Sequence, residues 1–148
     1  MNSVTNESKA VEVLVIEDNP LDVLMIKEGF TDVPVAHNLS VVTDGERAID
    51  FLYRKNGLTN AERPNLILLD LNLPRKDGCE VLATIRSDDS LKAIPVIVIT
   101  TSDLDTSVLN AYRCWANCYL IKPIEFEEFV EMIKTVATFW LSVVTLPS

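Results

Sequence analysis

Four apolar runs in this chain end on residues that could do chemistry together. VEVLVI (11–16) runs into Glu17 and Asp18, NLILL (65–69) into Asp70, PVIVI (95–99) into Thr100 and CYLI (118–121) into Lys122. A carboxylate that closes so apolar a segment is expensive to bury alone, so Asp70 must be exposed, paired or bound to a cation. Three carboxylates held close would repel one another and raise each other's pKa. A hard divalent cation removes that repulsion. Mg²⁺ takes oxygen ligands at about 2.0–2.1 Å and keeps several waters, which leaves room for a phosphoryl oxygen. Lys122 adds a positive point charge and Thr100 a hydroxyl donor. Such a set supports phosphoryl transfer onto Asp70, whose carboxylate is ionised at neutral pH and needs no general base. Each residue alone has a plainer use: Glu17 and Asp18 as a solvated strand end, Thr100 as a cap, Lys122 as a turn lysine before Pro123, Asp70 as a turn aspartate. Those plainer uses would have to coincide at four strand ends.

The elements that must position these residues follow from periodicity. A fifth apolar run, NLSVV (38–42), completes five predicted strands. Between them the spacing predicts helices. Asn19 caps the first, with Pro20 at its first position and Leu21, Leu24, Met25 and Glu28 marking its faces. Asp44 caps the second, which carries Ala48, Ile49 and Leu52; Val81, Leu82 and Ile85 stripe the third; Val108, Leu109 and Tyr112 stripe the fourth. In the last, Phe126, Phe129, Val130, Ile133 and Ala137 recur at three and four residues, and Glu125, Glu127 and Glu128 crowd the first turn, where the helix dipole favours anions. Strand and helix alternate five times. That order implies right-handed crossovers and a mostly parallel sheet covered on both faces, with ligands bound beyond the carboxyl ends of the strands. The polar stretch 54–63 reads as a surface loop.

Composition narrows the class. The 148 residues suit one domain, and 48% are hydrophobic. The net charge of −9 opposes nonspecific binding to nucleic acid or to an anionic membrane surface. No apolar run reaches a membrane span, and the polar start MNSVTNESKA reads as a loose tail over 1–10 rather than a signal peptide. Cys79, Cys114 and Cys118 are too few and too irregular for a disulfide framework or a zinc site, which suits reduced thiols in the cytoplasm. His37, the only histidine, falls in a polar patch with a surface role.

With these residues in view, the chain resembles the receiver domains of two-component response regulators over residues 11–138. The resemblance rests on Glu17-Asp18 in VLVIEDNP, Asp70 in LILLDLNLPRKDG, Thr100 in IPVIVITTS, and Tyr119 and Lys122 in CYLIKP. Thr100 follows Asp70 by thirty positions and Lys122 follows Thr100 by twenty-two. The resemblance implies a flavodoxin-like, CheY-like α/β fold, a doubly wound five-stranded parallel sheet of order 2-1-3-4-5. It implies that Asp70 takes a phosphoryl group from a sensor histidine kinase. Glu17, Asp18, Asp70 and the backbone carbonyl of Asn72 would hold Mg²⁺, and Thr100 and Lys122 would contact the phosphoryl oxygens. Thr100 and Tyr119 would form the conformational switch, the Lys122–Pro123 peptide bond would be cis, and Asn72 and Ser102 would tune dephosphorylation. The protein would then be a signalling phosphoacceptor that catalyses its own aspartyl phosphorylation and dephosphorylation, not an enzyme acting on other molecules.

Some features depart from the commonest receiver pattern. Glu17 replaces the more frequent aspartate, the loop 54–63 is long, and an apolar extension, 139–148, follows the last helix. The loop and the FWL…VTLP tail resemble the stand-alone response regulators that serve bacterial phytochromes. That likeness implies a phytochrome kinase as partner and a homodimer, with Phe139, Trp140, Leu141, Val143 and Leu146 as candidate contacts. A tail that merely covers its own domain is the competing expectation. With no DNA-binding region in the sequence, output is expected through a downstream protein or a phosphotransfer protein. Three alternatives compete with this reading. A haloacid-dehalogenase-like small phosphatase would want an acid/base aspartate where Asn72 stands. A flavodoxin-like nucleotide or flavin module would want a phosphate loop where Glu17-Asp18-Asn19-Pro20 stands. A degenerate receiver acting only as a binding module would lack key residues that are present here.

Overall fold

The computed structural model describes residues 9–101 and 115–147. Among them the chain forms β1 (Val11–Ile16), α1 (Pro20–Phe30), β2 (His37–Val42), α2 (Gly45–Tyr53), β3 (Leu66–Leu69), α3 (Gly78–Ser87), β4 (Val96–Thr100), β5 (Cys118–Ile121) and α4 (Phe126–Thr138), closed by a π-helical turn, Phe139–Val143. The five strands pair in parallel in the order β2-β1-β3-β4-β5, as expected. The stripe of Val108, Leu109 and Tyr112, together with Ser102, Cys114 and most of the N-terminal tail, lies outside the described residues.

Alternation along the strands sorts the core into two layers. Leu14, Ile16, Ile67, Leu69, Val96 and Val98 face α2 and α3, where they meet Ala48, Phe51, Val81, Leu82 and Ile85. Val13, Val15, Leu66, Leu68, Ile97 and Ile99 face α1 and α4, where they meet Met25, Ile26, Phe30, Phe129, Ile133 and Ala137. Both faces of β1, β3 and β4 are therefore apolar, which is why those strands read as continuous runs.

Two helix starts are fixed by the residues that the sequence singles out, and a third by a capping box that it does not. Asn19 accepts the backbone N–H groups of Leu21 and Asp22, with Pro20 opening α1. Asp44 accepts that of Arg47 at α2. At α3, Asp77 and Glu80 form a reciprocal capping box. The expected surface loop follows α2, where Arg54, Asn56 and Gly57 adopt positive φ and reverse the chain.

The chain beyond Thr138 is not a detached extension. Val144 N–H closes the π-turn on Phe139 O at 3.0 Å. That turn rotates Leu141 into the α1/α4 core layer, where it is buried. Leu141 is thus buried in its own domain rather than free as a dimer contact, a correction with a plain cause: the wider i→i+5 winding carries its apolar side chain onto the sheet side of the helix. Leu146 and Pro147 line a hollow with Val11 and Asn65, against the chain's own domain. Phe139 (50% exposed) and Val143 (67% exposed) point away from it, and Trp140 is half-buried with its ring edge-on to Phe139. Among the described residues, no helix is long and apolar enough to cross a membrane.

Candidate functional site

Parallel pairing brings the chemistry-bearing residues to one edge of the sheet. Asp70 N–H donates to Ile16 O at 3.0 Å and Lys122 N–H to Thr100 O at 2.9 Å, so the ladders run through the strand ends. Glu17 N–H donates to Val42 O at 3.0 Å and extends β1 in the same way. The result is a polar floor sunk in apolar walls: Glu17 is 2%, Asp70 6% and Thr100 0% exposed. Asp18 is exposed at its rim.

Carboxylate oxygens of Glu17, Asp18 and Asp70 lie within 4.8 Å of one another. Three acidic groups at that spacing, two of them buried, fit a hard divalent cation in charge and ligand type. Burial pushes Glu17 up to about 7, the charge of Asp70 adds to the shift, and Lys122 opposes it. A cation beside the cluster would hold that carboxylate ionised. For Lys122 burial acts downward, yet Asp22, Glu17 and Asp70 outweigh it and the net shift is upward, which keeps the ammonium charged. Its Nζ donates to Glu17 Oε1 at 2.7 Å, Asp22 Oδ2 at 2.7 Å and Asp70 Oδ2 at 3.0 Å.

Asn72 ties the floor together. Its backbone N–H donates to Asp70 Oδ1 at 3.0 Å and its Nδ2 to Thr100 Oγ1 at 3.1 Å. Glycine permits the close approach behind it: a Cβ on Gly78 would sit 2.5 Å from the Asp70 carbonyl oxygen. Tyr119, half-buried on β5, packs against the α2/α3 core layer beside Val98.

The structure thus brings together Glu17, Asp18, Asp70, Asn72, Thr100 and Lys122, with Tyr119 two register pairs away from Thr100 along β4 and β5. One expectation fails: no peptide bond among the described residues is cis, so Lys122–Pro123 is trans. The trans form is favoured by about 0.5–1 kcal/mol even before proline, and Lys122 reaches its three carboxylates with the bond trans. One residue was missed. Asp22 stands in the first turn of α1 and reaches Lys122, and its only signal in the sequence was an acidic residue three places after the Asn19 cap.

Comparison with known proteins places the chain. Residues 13–134 match the response regulator receiver domain family. The response regulator Rcp1 of Synechocystis sp. is 40% identical over 148 residues, covering 100% of this chain and 99% of that one. The crystal structure of the phosphorylated cyanobacterial phytochrome response regulator RcpA superposes with a TM-score of 0.91 at 41% identity, covering 95% of this chain and 100% of that one. The Mn²⁺-bound form of Rcp1 superposes with a TM-score of 0.90 at 41% identity, covering 93% of this chain and 99% of that one. The acidic edge, the lysine above it and the match along nearly the whole length agree: this chain belongs to the response regulator receiver family.

Proposed function

We propose that this protein is a phytochrome-linked response regulator whose Asp70 accepts a phosphoryl group from a phosphohistidine of a sensor kinase in the cytoplasm. The reading rests on one observation: a buried, ionisable Asp70 sits between two further carboxylates and a charged lysine at the open edge of the sheet. Its likeness to phytochrome response regulators supports the choice of kinase.

Glu17, Asp18, Asp70 and the Asn72 carbonyl would hold Mg²⁺, which when bound neutralises charge on the phosphoryl oxygens. Asp70 supplies the nucleophilic oxygen. Its lone pair forms the new O–P bond as the P–N bond to the donor imidazole breaks, and that bond's electron pair stays on the imidazole nitrogen, which then takes a proton. Lys122 offers its ammonium to the transferred group. Thr100 exchanges its Asn72 partner for a phosphoryl oxygen, and Tyr119, packed beside the same strand end, turns into the space released. The added charge of roughly −1.5 to −2 biases these two arrangements. Asn72, and by the family's pattern Ser102, would set access of water to the phosphoryl group.

Exposed Leu21 and Leu24 flank Asp22 on α1, and exposed Ile124 lies just beyond Lys122. The Asp22–Lys122 contact brings these two stretches together around the pocket, so they form a rim on which the kinase docks. Phe139 and Val143, with Trp140 behind them, are the homodimer contacts, and the output passes to a downstream protein or a phosphotransfer protein.

Acetyl phosphate with Mg²⁺ labels the full chain at one hydroxylamine-sensitive acyl phosphate, and Asp70→Asn abolishes the label. Labelling of that variant at the wild-type level would overturn the assignment.

A further inference from the structure

The Lys122 ammonium has three N–H donors, and three carboxylates occupy them at 2.7, 2.7 and 3.0 Å. Two of these, Glu17 and Asp70, belong to the acidic cluster that fits a divalent cation. Asp22 does not belong to it. We propose that Asp22 is a positioning residue for phosphoryl transfer: it anchors Lys122 over the pocket when Glu17 and Asp70 turn to the cation and Asp70 takes the phosphoryl group. This inference rests on the reading of Asp70 as the phosphoacceptor.

Lysine carries its charge on a flexible four-carbon stem with no rigid fork to orient it. Glu17 and Asp70, once shared with a divalent cation, hold the ammonium less strongly, and like charge pushes it outward. Asp22 is the one partner whose charge stays with Lys122. Its own position is fixed by three features. Asn19 Oδ1 accepts the Asp22 backbone N–H at 3.2 Å. The N-terminal turn of α1 favours a carboxylate. The side chain is only 14% exposed, facing a lysine at 5%. An exposed pair would contribute little, but a charge-assisted bond in so enclosed a place orients its donor. Because α1 starts on the rigid Asn19-Pro20 turn straight after β1, the anchor is set relative to Glu17 and Asp18 by local geometry.

Asp22→Ala removes the anchor; Asp22→Asn keeps an oxygen at the same reach without its charge. Three quantities are read on the full chain: the maximal labelling rate with acetyl phosphate and Mg²⁺, the thermal midpoint, and the Lys122 side-chain ammonium signal in ¹H–¹⁵N spectra with and without Mg²⁺. Asp22→Ala should slow maximal labelling by about ten- to a hundred-fold, the scale of a misplaced group. Its Lys122 signal should persist without Mg²⁺, where Glu17 and Asp70 remain partners, and exchange away when Mg²⁺ is added. Asp22→Asn should fall between Ala and wild type in both. A merely structural role would lower the thermal midpoint and leave the ion-dependent signal as in wild type, which would overturn the proposal, as would an unchanged labelling rate. Should Asp22→Ala not fold, Asp22→Asn decides: slower labelling with faster ammonium exchange supports the anchor, and wild-type values of both overturn it. If Asp70→Asn still labels, the phosphoacceptor reading fails. If Asp70→Asn is silent and Asp22→Ala labels at the wild-type rate, only the anchor fails.

Discussion

Glu17 shows how a single side chain can be costly to the fold and necessary to the site. Its pKa is raised to about 7 from 4.5, chiefly by burial. The folded state therefore binds a proton more tightly than the unfolded chain, so the stability tied to this group is complete below pH about 4.5 and is lost as pH rises through about 7. Glu17→Gln removes that dependence. In Mg²⁺-free urea titrations, wild type should lose stability relative to Glu17→Gln between pH 5 and 8. With Mg²⁺ the difference should shrink, because the ion holds the carboxylate charged. A gap independent of pH would show that Glu17 is not the group responsible. The same variant should bind Mg²⁺ more weakly by calorimetry, since it loses one anionic ligand. A second residue, Cys118, is half-buried with its thiol pushed up by burial. It should react slowly with maleimide in the folded chain and quickly in urea.

At the scale of elements, the loop after β3 is held by backbone contacts that leave no space for a methyl group. A Cβ on Gly78 would lie 2.5 Å from Asp70 O and from Leu71 Cα, and one on Gly45 would lie 1.7 Å from Lys76 O. Gly78→Ala should cost about 1–3 kcal/mol by overpacking. It should also slow labelling of Asp70, because the strain falls on the residue that carries the nucleophile; equal labelling with reduced stability would show that the loop yields elsewhere. The strands and helix caps were legible for simple reasons. Buried parallel strands are apolar throughout, and Asn19 and Asp44 announce helix starts within one residue. The strand-end residues of the site followed from those boundaries. Asp22 escaped because its partner stands a hundred positions away. Only the packing of α1 beside β5's end brings the two together, and periodicity carries no such long-range term. The trans bond before Pro123 escaped because the family's habit, not the sequence, suggested otherwise.

At the scale of the molecule, the tail serves two ends. Leu141 fills the core beneath α4, while Phe139 and Val143 stand in water on the opposite side. Leu141→Ala should destabilise the chain by about 2–5 kcal/mol, the usual cost of emptying a buried leucine site. Phe139→Asp with Val143→Asp should leave stability within about 1 kcal/mol, as exposed substitutions do, and convert dimer to monomer in sedimentation; an unchanged mass would remove this face from the interface. Periodicity alone does not foresee the π-turn that divides the apolar extension into an inner and an outer side. At the far edge of the sheet, the exposed Asp18 gives a sunken acidic pocket a wet threshold. A cation arriving there would meet Asp18 first, still in water, and would reach Glu17 and Asp70 only by displacing their contacts with Lys122, so the first carboxylate recruits the ion and the other two select it.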